Sequence, residues 1–593
     1  MFKSVFRKKF NRMYRLSIIA LCVIITVMLA GCGGQGGGGA NTTAAATAAA
    51  ETTTAAAATT TTTAAKAETT TEAKAEKEQY NIKILRGATD FTFSDLTEVG
   101  KVIKDKFNIV FEFIPYTGDM REKQNLMLAS GDYNEIQYMQ RDDIVTSYIG
   151  AGALLDLEQF KDIMPNFWAR YGEKQIPYWR LVGKGKLYKW ETSVPRYGDM
   201  DIETNDLHVR IDVLEKYGWP NPVSTSQWIE LLQKAVKDFP ETDGQPTVGV
   251  TACLGEPWGL QGTMPILYEK SDTYLPLSNE GYTYNIKTGQ FEDYFQNKYV
   301  KESFQFFNRL YREGLLDEEC FTDKNDRTIE KAKAGIPLSI WYTGPGNNNA
   351  IPLERQYLNM PVQSDTMVAE GQKRLIRKET TRNFDSYGIT KNAVHPERIA
   401  ELVDWAMSDE GQITLRSGVE GIHWERDSTG KRVMTESRKK AAIERDPKWN
   451  LTQGLNTYNY LGSFNIKAAD GQFPDLFSHA EINDEFGLTE RQKEALRGLG
   501  WKNSKSWYIS NMEYGETGLA GAIYVDSTTD LGKIHQQMTE VRLKWSAKMI
   551  MAKDDAEFEN IYKQAMEEYD KLNHKSVIDE YNRLLAEAMA QLG

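Results

Sequence analysis

Trp258 stands in Gly255-Glu256-Pro257-Trp258-Gly259, a loop too irregular for ordinary core packing, and Trp341-Tyr342 closes the strand-like Ile340-Trp341-Tyr342-Thr343-Gly344-Pro345-Gly346. An aromatic plane beside an acid or an arginine can cover an apolar C–H face while the polar group takes hydroxyls in fixed geometry. Trp190-Glu191 repeats the combination, and Asp90, Arg210, Asp385 and Trp424 are further candidates for the same chemistry. Each has a plain structural alternative. The tryptophans can be core, Asp90 can cap the helix that follows it, and Arg210 can serve an internal ion pair. With 13 Trp and 29 Tyr in 593 residues, position has to choose among them.

Signatures of catalysis are absent from the sequence. There is no His-Glu-x-x-His, no Gly-x-Ser-x-Gly and no phosphate loop, and the six histidines (208, 395, 423, 479, 535 and 574) have no ligand spacing with one another. A glycoside hydrolase needs two carboxylates flanking a bond, but 83 acidic residues always supply some pair, so that signal carries nothing.

The elements that must position these residues begin at Tyr80. Residues 82–85 read as a strand, 95–107 as a helix, 109–114 as a strand, 120–129 as a helix and 135–138 as a strand. That βαβαβ order predicts a parallel sheet flanked by helices, with ligands at loops beyond the strand ends. Residues 185–190 are strand-like, and a new helical series begins near Asp212. Phe304, Phe307, Leu310 and Tyr311 mark one face of a helix that stops at Gly314, and Pro396 opens another lined by Ile399, Leu402, Val403 and Ala406. From Asp554 to Leu592, Phe558, Ile561, Tyr562, Ala565, Tyr569 and Leu572, then Ile578, Tyr581, Leu585 and Ala588, predict two helices broken near Asn573-His574.

Ahead of this body the chain is of another kind. Met1–Arg15 holds six basic residues and no acid, and Leu16–Ala30 is an apolar run of about 15 residues, short of the roughly 20 that span a bilayer. Leu29-Ala30-Gly31-Cys32 resembles the lipobox of bacterial lipoproteins, which implies cleavage before Cys32 and lipid on that residue, holding the protein at the outer face of the cytoplasmic membrane. Residues 33–79 are almost all Gly, Ala, Thr, Glu and Lys. Such a segment cannot bury a core and reads as a tether, whose threonines could also carry glycans. Removing residues 1–31 takes the formal charge from −12 to −18, which disfavours nucleic acid as a partner. Only Cys253 and Cys320 then remain beside Cys32, too few for a disulfide framework, and they can pair or stay as thiols.

Several stretches in order resemble the large extracellular solute-binding lipoproteins (family 1 type) of bacterial carbohydrate importers of the ATP-binding-cassette (ABC) class. They are Leu126-Met127-Leu128-Ala129-Ser130-Gly131-Asp132-Tyr133, Gly152-Ala153-Leu154-Leu155-Asp156-Leu157, Met164-Pro165-Asn166 and His208-Val209-Arg210-Ile211-Asp212-Val213-Leu214. Further on come Phe307 to Asp317, Gly388 to Asn392, His395-Pro396-Glu397 and Gly418 to Trp424. The resemblance covers residue 80 to the end. It implies an α/β periplasmic-binding-protein-like fold of type II: lobe one at about 80–195 and 365–430, lobe two at about 196–364, a hinge between them, and extra C-terminal helices across both. The implied function is capture of a carbohydrate, an oligosaccharide by expectation, and delivery to the permease subunits of an ABC importer by a monomer without enzymatic activity or cofactor. A peptide or other non-sugar solute is the alternative, and an anchored glycoside hydrolase the competing class. Relatives often carry a calcium loop where this chain reads Asp238 to Pro246; too few alternating oxygen ligands stand there, and no metal is expected.

Overall fold

The computed structural model describes residues 77–592 apart from 87–91, 117, 173–174, 193–205, 276–281, 347, 379–384, 445–446, 463, 465 and 527. Residues 75–593 form one compact unit. The expected signal segment, residues 33–76 of the expected tether, Cys32 and Asp90 lie outside the described residues. Among the described residues no helix is long and apolar enough to cross a membrane.

The chain opens as β1 (Tyr80–Arg86), α1 (Glu98–Phe107), β2 (Ile109–Pro115), α2 (Met120–Ser130), β3 (Ile136–Met139) and α3 (Asp142–Gly150). Local chemistry sets these limits. Thr97 caps α1 by accepting from the Gly100 N–H, Asn108 ends it in the left-handed region, and Asp119 caps α2 through the Glu122 N–H. β1 and β2 pair in parallel from Tyr80↔Ile109 to Arg86↔Pro115. The third strand departs from the expected parallel sheet: β3 bonds antiparallel to a strand at Ser386–Ile389, whose other edge takes Trp190–Glu191. Ser386–Ile389 arrive on a chain returning from the other half of the molecule, so they run against β3. α4 (Ile176–Val182) and β4 (Trp190–Glu191) complete this first half; of the strand-like run 185–190, only its last residue lies in β4.

The second half is built on β5 (Leu207–Arg210), α5 (Thr225–Asp238), β6 (Val248–Thr251), α6 (Lys298–Arg312), β7 (Pro337–Trp341) and β8 (Tyr357–Met360), with the sheet in the order β8-β5-β7-β6. β7 runs parallel to β6, while β5 is antiparallel to both β7 and β8. A capping box between Ser224 and Gln227 starts α5. α6 buries Phe304, Phe307 and Leu310, and Gly314 follows it at φ 67°. β9 (Arg374–Lys378) then leads towards β10 (Ser386–Ile389), and α7 (Pro396–Ala406) carries proline in its first turn with Ile399, Leu402, Val403 and Ala406 fully buried. Beyond it come β11 (Met512–Glu516), which pairs with β9, and three helices: α8 (Asp530–Ile550), α9 (Asp555–Asp570) and α10 (His574–Leu592). α9 and α10 meet at Asn573, whose φ of 55° turns the chain at the expected break.

Two large cores result. One gathers Ile82, Phe111, Trp179, Trp190, Ile389, Leu402 and Tyr458; the other gathers Leu207, Trp228, Phe307, Trp341, Leu358, Trp545 and Tyr569. The return from the second core to the first falls between Met367 and Ile389. Cys253 and Cys320 are buried free thiols, and burial raises the Cys253 thiol to about 11, so both are inert.

Candidate ligand cleft

Strand ends define where the halves meet. β3 ends at Met139, β4 at Glu191, and β10 starts at Ser386, all at one edge of the first sheet. There the buried Lys189 ammonium pairs with Asp142, lies 2.9 Å from Glu191 Oε1 and donates to Ser386 Oγ at 3.3 Å. Burial pushes Asp142 up to about 6, partly offset by Lys189. The matching edge of the second half carries the inverse charge pattern. Asp206 is fully buried, pairs with Lys270, accepts from Arg374 Nη1 at 2.8 Å and from the Tyr508 hydroxyl at 3.2 Å. Glu191 thus belongs to the buried charge cluster of the first half and Asp206 to that of the second.

Between the halves lies a cavity of about 370 Å³. Arg121 and Asp143, which form an ion pair, line it from the first turns of α2 and α3, and Arg141 lines it just beyond β3. Facing them are His535, Gln536 and Thr539 of α8 and Tyr581 of α10, with Tyr524 and Val525 joining from the segment ahead of α8. An adjoining, more apolar cavity of about 310 Å³ shares Tyr524 and Val525, and runs between Leu181 and Val182 of α4 and Leu531, Leu584 and Ala588. Burial first, then the guanidiniums of Arg542, Arg141 and Arg121, push His535 down to about 3, leaving a neutral imidazole at neutral pH. The cleft therefore offers guanidiniums, hydroxyls, an amide and two tyrosine rings: groups that hold a polar solute, drawn from both halves.

None of the eight described residues expected from the sequence lines this cavity. Trp190 is 0% exposed in the first core and donates its indole N–H to the Tyr460 carbonyl at 2.9 Å. Trp341 is 1% exposed in the second core, against Phe306 and Phe307, and donates to the Thr263 carbonyl at 2.6 Å. The two rings sit in different cores with their polar atoms satisfied, the structural alternative that the sequence left open for them. Trp424 is buried with its N–H on the Gly418 carbonyl at 2.8 Å. Glu191 belongs to the Lys189 cluster. Arg210 is buried and donates to Asp212 at 3.0 Å, to Thr242 Oγ1 at 3.0 Å and to the Gly335 carbonyl at 2.9 Å, the internal role its alternative foresaw.

Trp258 is 40% exposed and stands, against the expected loop, in a helical turn that runs into the π-helix Gly259–Thr263, packed so closely that a Cβ at Gly259 would stand 1.5 Å from the Cys253 carbonyl oxygen. Tyr342 and Asp385 both flank strand ends at the meeting edges with positive φ, 66° and 52°. The Tyr342 N–H donates to the Asp206 carbonyl at 2.8 Å, and the Asp385 carboxylate accepts from the Tyr138 hydroxyl. The Asp238–Pro246 stretch is a two-residue hairpin, Asp243 and Gly244 both at positive φ, with Asp238 held by Tyr217 and Asp243 by Arg355. The cavity residues themselves escaped the sequence reading. One signal was available: Arg141 follows the third strand, where the strand-end rule puts a ligand.

No family model and no curated protein matches the sequence. Solved structures do. The chain is similar to the alginate-binding protein AlgQ2 without calcium ion (16% identity, TM-score 0.59), covering 86% of this chain and 99% of that one. It is similar at the same coverages to the human-milk-oligosaccharide (HMO) binding solute-binding protein from Bifidobacterium longum infantis (15%, TM-score 0.59). FusA, a substrate-binding protein of an ABC transporter from S. pneumoniae solved with kestose, matches at 15% and TM-score 0.60 over 86% of this chain and all of its own. The chain has the fold of an ABC-transporter solute-binding protein. The cavity lies between the two cores described above.

Proposed function

We propose that this protein is an extracellular solute-binding protein that captures an oligosaccharide between its lobes and delivers it to the permease of an ABC importer. The observation carrying the reading is the 370 Å³ cavity lined by α2 and α3 from one lobe and α8 and α10 from the other, in a fold whose solved examples include binders of alginate and kestose. A solute bridging both walls stabilises the closed arrangement, which is how a hinge protein converts occupancy into a shape a permease can read. Arg121, Arg141, Gln536 and Thr539 supply the hydrogen bonds and Tyr524 and Tyr581 the ring faces. Trp258, Tyr342 and Asp385 are candidate outer contacts for a longer chain, supported by exposure at Trp258 and by the placement of the other two at the meeting edges. Lipid on Cys32 tethers the body through residues 33–79, a reading supported by the order of charge, apolar run, cysteine and glycine. Isothermal calorimetry against a panel of oligosaccharides tests the function. Saturable heat that ends at one equivalent is expected; heat continuing after saturation means hydrolysis, and binding of peptides but no sugar means a different solute class.

A further inference from the structure

His574 opens α10 with each ring nitrogen set on a carboxylate. Nδ1 lies 2.7 Å from Oδ2 of Asp293, which ends the strand Gln290–Asp293, and Nε2 lies 3.1 Å from Oδ1 of Asp570, which ends α9. The imidazole side chain is 12% exposed and stacks on the Tyr569 ring, with centroids 4.6 Å apart. A neutral imidazole has one N–H and one lone pair, so it donates to one of these carboxylates and turns a lone pair on the other. The imidazolium donates to both. Asp293 is not free to turn away, because its Oδ1 accepts the Phe295 N–H at 2.8 Å and the Gln296 N–H at 3.3 Å.

The surrounding elements were searched for groups that could change this balance. Gln296 Nε2 stands 3.5 Å from the His574 Nε2, and the Tyr569 and Tyr562 hydroxyls of α9 face Asp293, both kept neutral by burial. From α8 the Arg542 guanidinium reaches the Tyr569 hydroxyl at 3.5 Å. Lys571 between the helices is exposed, and Lys575 of α10 pairs with Asp579 at 2.6 Å. The hydrogen bond to Asp293 leads, and with Asp570 it outweighs burial and raises His574 above the ordinary histidine value. Burial instead holds His208, His423, His479 and His535 below theirs, so these four stay neutral where His574 titrates.

α10 grips the same strand at a second point. Asn582 accepts the Phe291 N–H at 2.8 Å and donates to the Phe291 carbonyl at 3.0 Å, and Tyr581 packs on Tyr282 at 4.1 Å. Tyr581 also lines the 370 Å³ cavity. We propose that His574 is a proton-operated pin: as imidazolium it fastens the α9–α10 turn to the strand Gln290–Asp293, and its deprotonation loosens α10 together with the cavity wall that α10 carries. A group raised in the folded state gives stability that is fully present below its unfolded value of about 6.5 and lost as pH rises through its folded value. The pin goes beyond the solute-binding reading and does not depend on which solute the cavity takes.

The test uses the full chain without solute. Carbon-13 histidine NMR, with the His574 signal assigned by its loss in His574→Gln, should give a midpoint above 6.5. Asp570→Asn, at an exposed carboxylate, should move that midpoint down, and it also supplies the assignment if His574→Gln does not fold. Hydrogen exchange of peptides covering 574–592, with times scaled for the intrinsic rate, should be about threefold or more faster at pH 9 than at pH 6 in the wild type. His574→Gln should exchange equally fast at both. A midpoint at or below 6.5 overturns the pin, and so does α10 protection that is the same at both pH values in the wild type. A variant that keeps the wild-type pH dependence places the effect on another group and overturns it as well.

Discussion

The hydroxyl of Tyr524, on the segment that leads into α8, meets the hydroxyl of Thr146 on α3. Tyr524 lines both cavities, so this contact ties the segment ahead of α8 to α3 at the cavity wall. Tyr524→Phe removes a neutral hydrogen bond worth about 1 kcal/mol and should shift the ligand-free protein towards a more open form, weakening solute affinity by up to about fivefold. Small-angle scattering and calorimetry check it. An unchanged radius together with unchanged affinity would show that the contact does not hold the lobes.

The tryptophans divide by burial. Trp190→Ala and Trp341→Ala each empty a fully buried site and remove an indole N–H from a carbonyl, and should lower stability by about 3 to 5 kcal/mol. Trp258→Ala, at a 40% exposed ring, should cost under about 1 kcal/mol. Urea denaturation without solute separates the groups. A Trp341→Ala protein that melts normally yet binds weakly would return that residue to the binding site.

Asp206 neutralises two buried cations, Lys270 and Arg374. Replacing it by alanine removes a counter-charge from both, and a loss of about 3 to 5 kcal/mol is expected. Asp206→Ala with near-wild-type stability in chemical denaturation would mean that water or the remaining neighbours compensate the two cations.

Acid should destabilise the first lobe through His423. Its Nδ1 accepts the Val419 N–H at 2.8 Å, so that nitrogen cannot also carry a proton, and burial pushes the group down to about 4. The unfolded chain takes up a proton below about 6.5 while the folded chain does not until about 4. The stability due to His423 is therefore fully present above pH 6.5 and lost as pH falls towards 4, by at most about 3 kcal/mol. Denaturation at pH 7 and 4.5 should show a smaller loss in His423→Asn than in the wild type; equal losses would count against it.

Cys32→Ala should release the protein from membranes, as expected from the lipobox resemblance and the tether. Fractionation in high salt reads this directly. Retention of the variant with the membrane pellet would refute the anchor.

Features with a short sequence period were legible without coordinates. The α6 face at Phe304, Phe307 and Leu310, the proline start of α7 and the break at Asn573 each depend on residues within a turn or two, so local pattern and capping determine them. The order of strands and helices from Tyr80 to Tyr138 followed for the same reason, although pairing did not, because β3 finds its partner some 250 residues later at β10. Which tryptophan is core and which is exposed is likewise a long-range matter: the Trp190 indole closes on Tyr460 and that of Trp341 on Thr263. The cavity is the extreme case. Arg121, Arg141 and Asp143 face α8 and α10 across roughly four hundred residues of sequence, and no local periodicity encodes that approach. The amino-acid order by itself determined most of the elements and the resemblance to a solute-binding fold. Only the packing of distant segments, driven by burial of two separate apolar cores, decided which polar side chains were left facing the cavity.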